Sequence, residues 1–335
     1  MADAVAILGA GAWGTALAAH LGRASSTTAI RLWARDESQS RAIESSRENA
    51  RYLPGVKLPR SVSVQSDLSG ALSGASLVVV ATPIGALVGL VQKMQSNADI
   101  PLMWVGKGFV SGTDASMVAL PHQRVAPMWK APVGVISGPS FAEEVARGLP
   151  TAVSVAATER TFAEDVARLL RGDSFRAYVS DDLVGIEVGG AVKNILAIAA
   201  GASDGLGFGN NARAALVTRG LAETGRLSIA LGGKRETLMG LAGLGDLVLT
   251  CTGDLSRNRR VGIELAAGKR LDAITAALGH VAEGIEAARA AHTLAASLKV
   301  EMPICAAVYR VLYEDLAPRR AVEALLAREP GPEFH

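Results

Sequence analysis

The 335-residue sequence predicts a doubly wound α/β domain over residues 1–182, an all-helical domain over 183–328 and a frayed tail over 329–335. Two observations carry this reading. In the first half, short continuous apolar runs alternate with helical patterns, as in a parallel sheet covered on both faces. Beyond Ser180-Asp181-Asp182 no strand pattern recurs and only helical periods remain.

Val5–Leu8, Ala29–Trp33, Leu77–Ala81, Leu102–Val105, Val133–Ile136 and Thr151–Ala156 read as strands, being brief, apolar and β-branched. Between them, Thr15–Arg23, Asp36–Glu48, Ile84–Gln95 and Phe141–Arg147 carry helical spacing. Right-handed crossovers then wind the chain over both faces of the sheet. The second half offers helices at Leu183–Ala200, Ala212–Leu231, Leu271–Ala277, Ile285–Leu298, Ile304–Glu314 and Ala321–Arg328. Gly232-Gly233, Gly243, Gly245, Gly268 and Gly279 punctuate them, and Glu329-Pro330-Gly331-Pro332 cannot continue a helix. The apolar stretch Ala75–Val91 approaches membrane-span length, but Pro83 and Gly85 follow Leu77-Val78-Val79-Val80. It therefore reads as a buried strand turning into a helix, not a span.

Composition narrows the function. With 49% hydrophobic and 20% charged residues, the chain can build real cores and is not disordered. A net charge of +2 without long single-sign blocks provides no field to draw nucleic acid or an anionic membrane. Cys251 and Cys305 fit no disulfide framework or zinc spacing, which points to a reducing cytoplasm. His20, His122, His280, His292 and His335 show no ligand spacing, so no metal is expected. Met1-Ala2-Asp3 lacks the basic start of a secretory signal.

Gly9-Ala10-Gly11-Ala12-Trp13-Gly14 is a complete GxGxxG between a strand and a helix. Gly9 suits the tight turn, Gly11 the approach of backbone amides to a pyrophosphate, and Gly14 the packing of helix on strand. The helix N-terminus adds free N–H groups and partial positive charge for a diphosphate. The bland alternative is a glycine-rich turn; the flanking elements favour dinucleotide binding. The second strand ends in Arg35 with Asp36 one place later. Arg35 suits a 2′-phosphate, so NADP is favoured with NAD still open, while Asp36 reads better as a helix N-cap than as a ribose ligand.

Five further stretches carry chemistry. In Val105-Gly106-Lys107-Gly108, Lys107 ends a strand at the sheet edge where such folds bind ligands, or is simply a surface lysine. In Gly138-Pro139-Ser140-Phe141-Ala142-Glu143, Ser140 and Glu143 have the spacing of a capping box, compatible with anion binding but not a serine-hydrolase elbow. Lys193 and Asn194 follow Gly189-Gly190 in a strongly apolar helix, costly unless paired, functional or snorkelling. A partly buried lysine has a lowered pKa and can trade protons near neutrality. Asp246, ahead of Thr250-Cys251-Thr252, needs a cationic partner, and Lys193 is the candidate. Ser256-Arg257-Asn258 supplies a hydroxyl, a guanidinium fork and an amide, a set suited to phosphate. Read blandly, Arg257–Arg260 is a solvated basic turn or a nucleic-acid patch, the latter weakened by the near-zero charge and the lack of aromatics.

Six ordered blocks (GAGAWGTALA, VGKG, SGPSFAEEV, GGAVKNILAIAAG, LAGLGDLVLTCTGDLSRNRRVG and VAEGIEAA) resemble those of the bacterial NAD(P)-dependent glycerol-3-phosphate dehydrogenases, from Gly9 to about Arg289. The resemblance implies a Rossmann N-terminal domain and a helical C-terminal domain, usually dimeric and cytoplasmic. It also implies interconversion of sn-glycerol 3-phosphate and dihydroxyacetone phosphate, supplying phospholipid synthesis. Carried over by position, Lys193 is the general acid/base, with Asp246 and Lys107 beside it. Lys107, Gly138, Ser140, Asp246, Thr250, Ser256, Arg257 and Asn258 fall on the substrate side. Ala12, Trp13, Arg35, Ala142, Val281 and Glu283 fall on the cofactor side, where Lys107 and Arg257 also reach. Ala12 and Arg35 stand where relatives often carry Ser and His. Two other readings stay in view: a two-domain β-hydroxyacid or sugar-acid dehydrogenase, needing a carboxylate-binding set, and a non-catalytic dinucleotide sensor, which has no use for a proton donor.

Overall fold

The computed structural model describes residues 4–24, 28–111, 118–278 and 282–329. Among these, the strands are β1 Ala4–Leu8, β2 Ala29–Trp33, β3 Val62–Gln65, β4 Leu77–Val80, β5 Leu102–Trp104, β6 Val110–Ser111, β7 Val118–Ala119, β8 Val133–Ser137, β9 Thr151–Ala157 and β10 Phe175–Val179. Eight of them form one sheet in the order β10-β9-β8-β5-β4-β1-β2-β3, while β6 and β7 make a separate antiparallel hairpin. Along β1, Val5 and Ile7 enter one core and Ala6 and Leu8 the other. Burial on both faces explains why the strands read as continuous apolar runs.

All pairings in the large sheet are parallel except β8 with β9. The sequence reading expected parallel pairing throughout. Between β8 and β9 stands only the short helix Ala142–Arg147, which packs on the helix Ala12–Ala24 instead of crossing the sheet, so the chain returns antiparallel. The predicted strands are present with ends moved by at most one residue. Besides the short strands β6 and β7, the reading missed β3 and β10, the two edges of the large sheet. Their outward residues are polar or exposed (Ser63, Gln65, Arg176, Tyr178), which breaks the apolar run. The stretch Ala75–Val91 is β4, a 3₁₀ turn Ile84–Ala86 and the start of the helix Leu87–Lys93, as read.

No strand follows Val179 among the described residues. Asp182 caps the helix Leu183–Gly205 by accepting the Gly185 N–H at 2.8 Å. This helix is apolar and long enough to cross a membrane by length and composition, but 83% of that window is buried inside the protein. Around it pack Gly209–Ala230, Asp246–Thr252, Arg257–Ala266, Glu283–Leu298 and Pro303–Tyr313. The helix Arg257–Ala266 crosses at backbone contact: a Cβ on Gly201 would lie 1.9 Å from Arg259 O, and one on Gly262 2.0 Å from Ile198 O. Asp246–Thr252 and Arg257–Ala266 were not read as helices, because Gly243, Gly245 and Gly253 break the periodicity around them. The two cores interlock. Phe109 and Leu120, flanking the hairpin, join the helical core, while Ile186 joins the sheet core. Gly279, His280 and Val281, with Pro330–His335, lie outside the described residues.

Candidate functional site

The site is assembled at the carboxyl ends of β1, β2, β4, β5 and β8, where open α/β sheets leave a crevice. After β1 the chain turns at Gly9, whose φ is +125° and whose Cβ, if it had one, would stand 2.8 Å from the Ala81 carbonyl. A Cβ on Gly14 would strike Gly9 O at 2.0 Å, so only glycine lets the helix Ala12–Ala24 start this close to the strand. Nothing lies within 4 Å of a Cβ built on Gly11, which leaves the amides there open to a ligand. This cradle fits the pyrophosphate of a dinucleotide, with the helix N-terminus supplying donors and positive potential.

Residues the sequence reading missed hold the cradle still. Asn49, 1% exposed, donates through Nδ2 to Ala10 O at 2.9 Å and Thr15 Oγ1 at 2.8 Å, and Gln39 Nε2 also reaches Ala10 O at 2.9 Å. The one available signal was a buried amide in a polar stretch, which sequence alone does not reveal. Asp36 is the N-cap of Glu37–Ser46, accepting Gln39 N at 2.8 Å and the Ser38 hydroxyl at 2.6 Å. Those bonds hold its carboxyl below the usual carboxylate range. Arg35 stands exposed beside it at the end of β2.

The expected capping box at Ser140 is not formed. The helix Ala142–Arg147 begins after Phe141, which is extended and offers no side-chain cap, while the Ser140 hydroxyl donates back to Gly138 O at 3.0 Å. Trp13 Nε1 donates to Ser140 O at 3.0 Å and ties this loop to the glycine cradle. Gly138, Ser140 and Ala142 thus border the cradle, with the helix Ala142–Arg147 packed on the helix Ala12–Ala24.

Across the crevice, one carboxylate joins the two halves. Asp246, 1% exposed, receives Lys193 Nζ on Oδ1 at 2.5 Å and Lys107 Nζ on Oδ2 at 2.6 Å. Lys107 also donates to Gly138 O at 3.2 Å, and Lys193 to Thr250 Oγ1 at 3.0 Å. The Thr250 hydroxyl in turn donates to Asp246 O at 2.6 Å. Lys193 thus has the partner the sequence suggested, and is not snorkelling. A π-helical turn, Leu241–Gly245, brings Asp246 in, and Gly189 permits it, since a Cβ there would meet Ala242 O at 2.6 Å.

Electrostatics follow from this geometry. Burial pushes the Lys193 pKa down and Asp246 pushes it back up, while the neighbouring Lys107 charge lowers it again, leaving it at about 8. Burial alone would raise the Asp246 carboxyl, but the two ammonium groups outweigh it and hold it below its ordinary value. Partly buried Glu283, at the start of Glu283–Leu298, is raised by desolvation against the pull of Lys107, Lys193 and Arg257. Two cations sharing one anion leave positive charge facing the crevice, next to a lysine able to give or take a proton near neutrality.

The Ser256-Arg257-Asn258 set is divided by the fold. Ser256 is the N-cap of Arg257–Ala266, accepting Arg259 N at 3.2 Å. Asn258 is buried in a clasp, donating to Asn194 Oδ1 at 2.9 Å and accepting Gly284 N at 3.1 Å, and Asn194 Nδ2 reaches Glu283 Oε2 at 3.4 Å. Arg257 alone keeps an exposed head, at the first position of a helix N-terminus. The segment is the first turn of a helix, with Arg257 and Arg260 exposed. Val281 lies outside the described residues.

Residues 4–163 match the family model for the NAD-dependent glycerol-3-phosphate dehydrogenase N-terminus, and residues 182–323 match that for its C-terminus. The NAD(P)+ glycerol-3-phosphate dehydrogenase of Dechloromonas aromatica is 54% identical over 333 residues, covering 98% of this chain and 99% of that one. The crystal structure of glycerol-3-phosphate dehydrogenase from Coxiella burnetii superposes with a TM-score of 0.92 at 44% identity, over 97% of this chain and 99% of that one. A ketopantoate reductase from Ralstonia eutropha, 16% identical with a TM-score of 0.57 over 95% of this chain and 99% of that one, shares the fold alone.

Proposed function

The chain belongs to the NAD-dependent glycerol-3-phosphate dehydrogenase family and is an NAD(P)-dependent oxidoreductase acting on the CH–OH group of glycerol 3-phosphate; from that premise we propose how its residues divide the reaction. The bound nicotinamide supplies the hydride that reduces the C2 carbonyl of dihydroxyacetone phosphate. Lys193 gives a proton to the C2 oxygen in that direction and takes it back in the other. Asp246 holds the Lys193 ammonium in one rotamer through its 2.5 Å contact, and Lys107 places a second positive charge at the growing oxyanion. Arg257 and the helix N-terminus it opens anchor the substrate phosphate, so binding energy from a non-reacting group orients the carbonyl. Asn258 acts by fixing Asn194 and Glu283.

The supporting observation is the convergence of Lys107 from the sheet and Lys193 from the helical half on Asp246. Gly9–Gly14 would hold the cofactor, with Trp13 and Ala142 bordering it and Arg35 placed for a 2′-phosphate. That favours NADP, because the Asp36 carboxylate is spent on its helix cap. The domain division at residue 182 rests on the capped start of Leu183–Gly205 just after the last strand. A homodimer fits the exposed Met239 and Leu255 of the helical half, and a cytoplasmic location fits two free, buried thiols whose pKa values burial raises.

The test is NAD(P)H oxidation with dihydroxyacetone phosphate against 2-keto acids, on wild type and Lys193→Ala. Turnover with the phosphorylated ketone should fall about 10²–10⁴-fold in the folded variant. Near-wild-type turnover in K193A would overturn the assignment of Lys193, and preference for a 2-keto acid would overturn the phosphate anchor.

A further inference from the structure

Behind Lys107 lies a second polar cluster that the reaction above does not use. Glu187, on Leu183–Gly205, has a side chain only 1% exposed. One carboxylate oxygen accepts the His122 backbone N–H at 3.0 Å, and the other meets His122 Nδ1 at 2.5 Å. His122 lies in the first turn of Pro121–Val125, so this carboxylate binds that helix to the one carrying Lys193. Alongside is a void of about 10 Å³, the size of a single water. Trp104, Gly106, Lys107, Ser137, Glu187 and Gly190 are among its walls.

Two of those walls carry buried polar atoms with no hydrogen-bond partner among the described residues, Trp104 Nε1 and Ser137 Oγ. Both residues are at most 2% exposed. Native proteins pair nearly all such groups, with protein or with ordered water. Trp104 lies near enough to steady the Glu187 anion but outside hydrogen-bond geometry. Gly190 keeps the space open: a Cβ there would stand 3.1 Å from Ser137 Oγ and 3.5 Å from Lys107 Cγ.

We propose that this void is a built water site, in which one water joins Trp104 Nε1 and Ser137 Oγ to the Glu187 carboxylate, and that Glu187 is thereby a positioning residue for Lys107. Lys107 sits between two glycines and needs support from outside its own loop. Besides its bonds to Asp246 and Gly138, Lys107 forms part of the void's wall, so a water held there by Glu187 backs it from the helix that bears Lys193. Of the charged and titratable groups, Lys107 and Glu187 line the void and His122 meets the Glu187 carboxylate. Burial raises the Glu187 carboxyl against the pull of His122, whose two bonds hold it in place.

The proposal rests on Lys193 as proton donor, and its test separates the two. Glu187→Gln keeps the shape and an acceptor for the His122 N–H, while Gly190→Ala fills the void. In each folded variant, kcat should drop about 10-fold or more, since small misplacements at a reacting centre are costly. KM for the nicotinamide cofactor should hold. The alkaline limb of kcat for ketone reduction, set by Lys193 near 8, should move upward, because a loosely held Lys107 no longer lowers that lysine. A purely structural role would lower the melting point without moving the limb. A high-resolution crystal structure should show one ordered water touching Trp104 and Ser137. A dry void, or E187Q and G190A with wild-type kcat and limb while K193A is dead, overturns the socket alone; an active K193A overturns the parent reading instead.

Discussion

Replacing Asp246 by Asn keeps the shape of the hub and removes its charge. Lys193 has a pKa of about 8, so roughly three quarters of it is protonated at pH 7.5. Part of that value is owed to the Asp246 carboxylate 2.5 Å away. Two unit charges 4 Å apart are worth about 4 kcal/mol at an effective dielectric of about 20. Asn returns part of this by accepting the same hydrogen bond; a net loss of about 3 kcal/mol corresponds to about two pKa units. The Lys193 value in D246N is then about 6, and its protonated share at pH 7.5 falls to roughly 3%, about 25-fold lower. Ketone reduction needs the ammonium, so its rate declines as pH rises through this pKa, whereas alcohol oxidation needs the free amine and gains. The assay is kcat for NAD(P)H oxidation from pH 5 to 9. D246N should have its limb near 6 and come within about twofold of wild type at pH 5.5. A limb that stays near 8 would refute either the proton-donor role of Lys193 or its support by Asp246.

Three other outcomes can be checked directly. Arg35→Ala should weaken kcat/KM for NADPH about 10–100-fold, the worth of a charge-assisted hydrogen bond to phosphate, and leave NADH nearly untouched; equal losses would exclude a 2′-phosphate contact. Gly201→Ala drives a Cβ into the Arg259 carbonyl and should lower unfolding stability in denaturant by about 1–3 kcal/mol or more, an effect absent if the helices can slide apart. Glu223 is buried, accepts Ile304 N at 2.7 Å and Cys305 N at 3.2 Å, and burial raises its carboxyl to about 7. The folded chain therefore holds a proton that the unfolded chain, titrating near 4.5, has lost, and stability is shed as pH rises from below 4.5 through 7. Wild type should lose about 3 kcal/mol more than Glu223→Gln between pH 4.5 and 8, and parallel curves would show the carboxyl to be ionised throughout.

The glycine cradle and the central strands were legible in the chain because their causes are local. Gly9 and Gly14 are required by backbone contacts within one strand–turn–helix unit, and burial on both faces writes itself as an uninterrupted apolar run. Asp36 as a helix cap was legible for the same reason. Lys193 announced itself as a charge inside an apolar helix, and that cost implied a partner. Edge strands β3 and β10 were not legible, since one exposed face lets polar side chains interrupt the run.

What the amino-acid order determined alone is thus short-range: which segments become strand or helix, where a diphosphate can meet backbone amides, and which side chains are too expensive to bury without purpose. Tertiary structure decided the rest. Ser140 turned its hydroxyl to Gly138 O while Trp13, 127 residues away, bonded its carbonyl, and Asn258 was drawn into a clasp with Asn194 and Gly284. Lys107 found Asp246 across 139 residues, and Glu187 found His122 across 65. Such pairings depend on how whole elements pack, and the packing places close together groups whose separation along the chain carries no trace of their contact.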